Sequence, residues 1–367
     1  MYFQQVIGQQ KIKQSLLEMV KHQRIPHALL FLGASGVGKL AMALAFAQYV
    51  LCEQQQEGDS CGRCRNCIKA GKLIHPDIHF SYPVVGSKIT SPNYLNQWRT
   101  TLLDKPYLNI NEWLQLIGAE NKQGNINKEE CLRIIKQMNL KSFEGGYKIL
   151  IIWLPEYLQK EGNRLLKLIE EPPDNTLFIL VAEEQDRILN TILSRCQLIK
   201  FNALSDEELI VGLIERAGIS KEQAISIVNL SDGNFNEALA LSKNSANDNA
   251  ILFLEWMRKS FQGNGGELVN WAEHFARLGR ERQKHFFKYG LHFMRQFMLF
   301  KMTGIQSARL QPNELNTVMR LSKVVSMEKI EPITQLLNDN YYYVERNANS
   351  KIIGLDISIQ MNRIFKN

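Results

Sequence analysis

Two short stretches of this chain carry residue types and spacings that could do chemistry. The first is Gly33-Ala34-Ser35-Gly36-Val37-Gly38-Lys39, which fits G-x-x-x-x-G-K. A glycine-rich turn of this kind aims backbone N–H groups at a phosphate, at the N-terminus of a following helix. Gly33, Ser35, Gly36 and Gly38 would form the cradle, and Lys39 would reach the β- and γ-phosphates. The plainer reading is a glycine-rich turn that binds nothing; the strand pattern before it and the helix pattern after it favour the phosphate loop. The second stretch holds Cys52, Cys61, Cys64 and Cys67, spaced C-x₈-C-x₂-C-x₂-C. In a reducing compartment such a cluster points to a metal rather than to disulfides. Four thiolates would satisfy a closed tetrahedral Zn²⁺ site, structural because no position stays open for chemistry. His75 is an alternative to Cys52 as fourth ligand. Gly62 would ease a tight turn, and Arg63 and Arg65 would offset part of the thiolate charge.

Two parts of a hydrolytic site are missing. The residue after the phosphate-loop lysine normally offers a hydroxyl to Mg²⁺, and an Asp, often followed by Glu, normally ends a nearby buried strand to hold the metal and prepare the water. Here those positions read Leu40 and Trp153-Leu154-Pro155. Glu156 follows and is expected to open the next helix. No Mg²⁺ site and no intrinsic ATPase are therefore expected. The loop backbone and Lys39 remain, so the pattern still allows ATP or ADP to bind without being hydrolysed.

Hydrophobic periodicity supplies the elements that would hold these groups. Buried-strand patterns lie at Ala28–Leu32, Asp77–Tyr82, Lys148–Leu154, Thr176–Ala182 and Gln197–Phe201. Helix patterns lie at Gln9–Lys21, Lys39–Leu51, Asn127–Asn139 and Glu156–Glu170, the last stopped by Pro172-Pro173. Alternation of the two indicates an α/β fold. Residues 84–125, with Pro92 and Pro106, read as an irregular insertion. From Ser205, which opens a helix with Glu208 in a capping box, only helices are expected. A polar linker spans Asn244–Asn249. Trp256, Phe261, Trp271, Phe275, Phe286, Phe287, Phe293, Phe297 and Phe300 recur at helical spacing and read as the core of a last helical domain. Cys131 also reads as core.

Composition is that of an ordinary folded protein: 367 residues, 45% hydrophobic and 22% charged. The net charge of +7 and pI near 9.0 fit an anionic partner such as nucleic acid as readily as an ordinary surface excess. The basic group Arg277, Arg280, Arg282, Lys284 and Lys288 reads first as a solvated helix face. No stretch approaches the roughly 20 apolar residues of a membrane span, and no secretory leader is visible, so a cytoplasmic location is expected.

Several segments resemble bacterial clamp-loader subunits of the DNA polymerase III holoenzyme, which are AAA+ P-loop proteins. Asn163-Arg164-Leu165-Leu166-Lys167-Leu168-Ile169-Glu170-Glu171-Pro172-Pro173 is similar to their NALLKTLEEPP signature. Thr191-Ile192-Leu193-Ser194-Arg195-Cys196 is similar to their Ser-Arg-Cys motif, and Val6-Ile7-Gly8-Gln9 to their N-terminal adenine-side motif. His75-Pro76-Asp77 resembles the segment after their zinc module, which favours Cys52 over His75 as ligand. Glu345-Arg346-Asn347-Ala348-Asn349 resembles part of their C-terminal collar. The resemblance implies a cofactor-binding role for Val6 and Ile7 beside the loop residues. It also implies that Arg195, with Ser194 as motif partner, projects toward ATP on an adjacent subunit. Gamma/tau subunits keep Thr after the lysine, Asp-Glu after the strand, and a sensor arginine at the position of Asn236. This chain lacks all three, as delta-prime subunits do.

The expected layout is an AAA+ domain over residues 1–202 with a zinc module at 52–67, a helical lid at 203–243 and a helical collar at 250–367. The expected function is that of a non-hydrolysing delta-prime-type subunit. It would help load the sliding clamp on primed DNA beside gamma/tau and delta subunits, with no membrane partner. The alternatives are an active gamma/tau-type ATPase and a zinc-dependent DNA-binding module with a vestigial phosphate loop.

Overall fold

A computed structural model describes residues 1–120, 122–243, 246–304, 312–346 and 348–366. Asn347 of the collar-like motif, and Asn244 and Ser245 of the expected linker, lie outside them. The chain divides into two compact units, Met1–Gly218 with Ser231–Leu239, and Ile219–Leu230 with Ala240–Asn367.

The first unit is built on five parallel strands, β1 (Ala28–Leu32), β2 (Ile78–Ser81), β3 (Lys148–Trp153), β4 (Thr176–Ala182) and β5 (Gln197–Lys200), in the order β2-β3-β4-β1-β5. Every residue of β1, β3 and β4 is buried. These strands read in sequence as unbroken apolar runs because helices cover both faces of a parallel sheet. The expected strands are all present, each within a residue or two of its predicted ends. Register then gathers the chemistry. Leu32 pairs with Ala182, and Trp153 pairs with Val181. Gly33, Trp153 and Glu183 therefore meet at the carboxyl end of the sheet, where ligands bind in open α/β folds. Helices α1 (Gln10–Lys21) and α2 (Lys39–Val50) follow expectation. Helix α2 is buried from Lys39 to Tyr49 on all sides, the condition that an Ala- and Leu-rich helix without a polar face requires. A short helix, α3 (Arg65–Gly71), follows it.

Residues 84–125 are not irregular. They contain α4 (Leu95–Asp104) and α5 (Ile110–Leu116), and their neck is closed by paired hydrogen bonds between Val84 and Asn125 of 3.0 and 2.8 Å. Trp98 and Trp113 are fully buried. The Trp98 ring stacks on Tyr82 at 4.0 Å and lies 5.0 Å from Trp113 and 5.2 Å from Trp153. The Trp113 indole N–H donates to the Pro83 carbonyl at 2.8 Å. On the other side, Ser91 donates from its N–H and hydroxyl to the buried Glu130 carboxylate, at 3.0 and 2.7 Å. Glu130 lies on α6 (Lys128–Met138), the helix expected at Asn127–Asn139, whose Cys131 is core.

The single helix expected over Glu156–Glu170 is also corrected. Residues Pro155–Leu165 wind as 3-10 turns broken at Gln159, whose φ of 46° and ψ of −135° are not helical, and only Leu166–Glu170 (α7) is α-helical. Residues Asn190–Leu193 form α8, and α9 (Asp206–Ala217) begins at the expected Ser205–Glu208 capping box.

Helix α10 spans Lys221–Ser231 and α11 spans Phe235–Lys243. The second unit continues with α12 (Ala246–Gln262), α13 (Gly265–Arg277), α14 (Arg280–Thr303), α15 (Pro312–Leu321), α16 (Ile330–Glu345) and α17 (Ser350–Lys366). The expected polar linker is thus already helix from Ala246. Its core is aromatic: Phe253, Trp256, Trp271, Phe275 and Phe286 interlock, and the Trp256 indole donates to Ser358 at 2.9 Å. Phe261 departs from the core reading, with 47% of its surface exposed. Among the described residues no helix is long and apolar enough to cross a membrane.

The insertion's packing gives a first prediction. Trp98→Ala should destabilise the first unit by about 3–5 kcal/mol, the usual cost of emptying a large buried aromatic site. An unchanged urea midpoint would show that the insertion hangs free of the sheet.

Candidate functional site

The phosphate loop has its expected shape but not its expected surroundings. Gly38 caps α2 in the left-handed region, and Gly36 has φ +73°. A Cβ on Gly36 would fall 1.7 Å from Asn234 Oδ1, and one on Gly33 would fall 2.5 Å from the Phe201 carbonyl oxygen. Lys39 is 5% exposed. Its ammonium donates to the loop's own carbonyls, Gly33 at 2.8 Å and Ala34, and stands 3.9 Å from Glu183. Burial lowers its pKa to about 8 against the opposing pull of Glu183 and Glu156. The Ser35 hydroxyl oxygen is buried and makes no hydrogen bond.

Leu40 and Trp153 line the same cavity as Gly36, Gly38 and Lys39, together with Val181, Glu183, Pro106, Tyr107 and Leu108. The space they leave is about 20 Å³, room for roughly one water, whereas small-molecule sites usually offer about 300 Å³ or more. Glu156 does not stand in for the missing acid. Its Oε1 accepts the backbone N–H groups of Glu183 and Glu184, the latter at 2.8 Å, so the carboxylate secures the turn after β4. Burial raises its pKa.

Val6 and Ile7 are buried beside the loop, but the Ile7 N–H already donates to the Tyr107 hydroxyl at 2.8 Å. Burial pushes the Tyr107 phenol up to about 12. Its ring lies 5.0 Å from Phe235, with the Arg216 guanidinium 5.8 Å from its centre. Next to Phe235, Asn236 donates from its amide to Glu112 Oε2 at 2.8 Å. Tyr107, Glu112 and Glu183 are thus site residues that the sequence reading missed. Glu183 had a signal, an acid directly after a buried strand. Glu112 had a weak one, the Asn109-x-x-Glu112 capping box. Tyr107 had none.

The four cysteines come together as expected. The sulfurs of Cys52, Cys61, Cys64 and Cys67 all lie within 4.8 Å of one another, and the Cys61–Cys67 pair is 3.9 Å apart. Tetrahedral Zn–S bonds of about 2.3 Å would set sulfurs roughly 3.8 Å apart. Backbone N–H groups of Cys61, Cys64 and Cys67 point at the sulfurs of Cys52, Cys61 and Cys64, at 3.3, 3.4 and 3.4 Å. That arrangement favours thiolates, so the residues fit a metal. His75 is engaged elsewhere: its Nδ1 accepts from the Asp77 N–H at 3.1 Å, and its Nε2 faces Asn66 at 3.2 Å.

Arg195 follows α8 and precedes β5, an edge strand. It donates to Glu170 Oε2 at 3.1 Å, to the Thr191 carbonyl at 2.9 Å and toward the Ser194 hydroxyl at 3.4 Å, and its side chain is 31% exposed. Arg195 precedes β5 whereas the phosphate loop follows the parallel β1, so the two lie at opposite ends of the sheet. The five residues of β1 alone account for roughly 16 Å of that separation. The structure brings the loop residues, Val6 and Ile7 together in one place, the cysteines in a second and Ser194–Arg195 in a third.

The family described as "DNA polymerase III, delta subunit" matches residues 8–205. The chain belongs to this family. Its fold is a parallel α/β sheet with the phosphate-loop pattern after β1. It is 27% identical over 237 residues to the DNA polymerase III subunit delta' of Bacillus subtilis, covering 64% of this chain and 60% of that protein. It is 26% identical over 218 residues to subunit delta' of Escherichia coli, covering 59% and 54%. Subunit tau of B. subtilis is 25% identical over 245 residues, covering 65% and 37%. The chain thus spans little more than half the length of the delta' relatives it matches.

Purified protein is expected to carry about one zinc per chain. Stripping it with a chelator, or introducing Cys64→Ser, should lower the stability of the first unit by several kcal/mol, as for structural zinc in general. Thermal unfolding before and after elemental analysis checks this. A melting curve indifferent to verified metal loss would contradict it.

Proposed function

We propose that this chain is a delta-prime-type subunit of a bacterial DNA polymerase III clamp loader, with no ATP hydrolysis of its own. It would help load the sliding clamp on primed DNA within a hetero-oligomer of gamma/tau and delta subunits. Arg195 would be lent to ATP on a neighbouring gamma/tau-type subunit, with Ser194 helping to orient it. Zinc would staple the cysteine module, and helices of the second unit would supply collar contacts.

The observation that carries this reading is the polarity of the sheet. At one end, Leu40 and Trp153 put hydrocarbon where Mg²⁺ needs oxygen, and metal and charge stabilisation supply most of the rate of phosphoryl transfer. At the other end, Arg195 sits partly exposed, too far from the chain's own loop to serve it. An arginine so placed can stabilise a transition state only in trans. The names of the relatives alone do not separate delta prime from tau, since both match; the residues at the magnesium positions favour delta prime.

Co-purification with gamma/tau and delta subunits, followed by ATPase assay, tests the proposal. Arg195→Ala should leave assembly intact and lower DNA-stimulated ATPase of the complex roughly tenfold or more, since a finger is worth about 10³–10⁵ at the site it serves. Arg195→Lys should not restore it, because the ammonium lacks the planar donor fork. Unchanged ATPase would remove the finger. Turnover by the free chain that disappears in Lys39→Ala would identify a gamma/tau-type ATPase instead. Tight, salt-sensitive DNA binding by the free chain would favour a DNA-binding module.

A further inference from the structure

We infer that the segment Pro106–Glu112 is a built-in occupant of the nucleotide cleft, which bridges the walls a bound nucleotide would bridge and keeps adenosine phosphates out. Three walls surround the phosphate loop in the first unit: Val6-Ile7, the loop itself, and Asn234-Phe235-Asn236. The segment engages each one. The Tyr107 hydroxyl accepts the Ile7 N–H at 2.8 Å. The Tyr107 ring approaches to 3.1 Å the point where a side chain on Gly38 would begin. The same ring contacts Phe235 at 5.0 Å, and Glu112 accepts from Asn236 at 2.8 Å.

The segment is preorganised for this. Leu108 N–H closes a turn on the Lys105 carbonyl at 3.2 Å, and Asn109 and Glu112 cap α5 reciprocally at 2.9 and 3.0 Å. Tyr107 and Leu108 are each only 4% exposed. The electrostatics agree with the geometry. Lys39 is satisfied by loop carbonyls, while Glu183 and Glu112 bring carboxylates to the cleft. A triphosphate entering without magnesium would have to displace aromatic surface and face like charge.

The bridge has a consequence for motion. The Phe235 N–H donates to the Gly36 carbonyl at 3.1 Å, so residues 234–236 are held to the loop by the chain's own contacts. In a nucleotide-driven protein such a bridge comes and goes with the ligand. Here the chain's own residues make the bridge, so it needs no nucleotide to form. This inference does not depend on which clamp-loader subunit the chain is.

Titrating the full chain with a fluorescent ATP or ADP analogue tests it. Wild type should show no saturable binding up to about 1 mM, and Tyr107→Ala should gain binding at least about tenfold tighter. Adding Lys39→Ala to Tyr107→Ala should abolish that gain. Wild-type binding as tight as the variant's, or a folded Tyr107→Ala that still excludes nucleotide, overturns the inference. If Tyr107→Ala does not fold, Tyr107→Phe and hydrogen exchange at the Ile7 amide decide. The expected result is about tenfold faster exchange in Tyr107→Phe, where the amide loses its acceptor, and no effect of ATP on the wild type. Protection unchanged in Tyr107→Phe, or raised by ATP in the wild type, overturns it. Assembly with gamma/tau and delta is scored separately, so failure of the subunit assignment would not be mistaken for failure of the bridge.

Discussion

Trp153 ends β3 at the point where a phosphate-loop hydrolase needs a carboxylate, and much of the first unit follows from that one indole. It offers no oxygen to a metal. It also extends the apolar surface of the sheet past the end of the strand, and Trp98 packs on it at 5.2 Å with Tyr82 and Trp113 close by. Clustered rings of this kind contribute large buried areas and add edge and stacking terms. The residue that stands at the expected metal position is therefore also the platform on which the insertion docks. Once docked, the insertion delivers Tyr107 to the Ile7 N–H and Glu112 to Asn236. The indole at the metal position and the docking of the insertion thus share a single physical origin.

The two ends of the sheet differ in how their polar groups are held. At the carboxyl end, several polar groups are paired internally: Lys39 with loop carbonyls, Glu156 Oε1 with two backbone N–H groups, the Ile7 N–H with a phenol. Buried donors and acceptors that are already paired resist displacement, because any intruder must replace each bond it breaks. At the other end, Arg195 is held by Glu170 and the Thr191 carbonyl yet keeps part of its guanidinium at the surface. Pairing that loose is easily exchanged for an anionic partner, since exposed ion pairs contribute little stability.

The centre of the sheet was legible in the sequence because β1, β3 and β4 are buried on both faces and so appear as nearly unbroken apolar runs. The cysteine module was legible because C-x₂-C-x₂-C spacing lets consecutive backbone N–H groups turn onto neighbouring sulfurs, as they do at 3.3–3.4 Å. The insertion was not. Its helices of 10 and 7 residues are short, prolines lie before and between them, and their tryptophans pack on each other and on Tyr82. Tyr107 finds Ile7 across 100 residues of chain, and no local pattern encodes such a contact. The broken helix at Pro155–Leu165 was misread because its apolar spacing is helical while Gln159 is not.

A glycine-rich loop that fits the phosphate-binding pattern is usually evidence of a ligand. Here the same residues have reasons to be what they are without one. Gly36 has no room for a methyl group beside Asn234, and Gly33 has none beside the Phe201 carbonyl. Lys39 binds the carbonyls of Gly33 and Ala34 and so ties the loop to its own helix. The motif can thus be maintained by packing and hydrogen bonding inside the first unit alone. What separates a working site from a structural remnant is not the glycines or the lysine but the oxygen ligands that should face them, and in this chain those positions hold leucine and tryptophan.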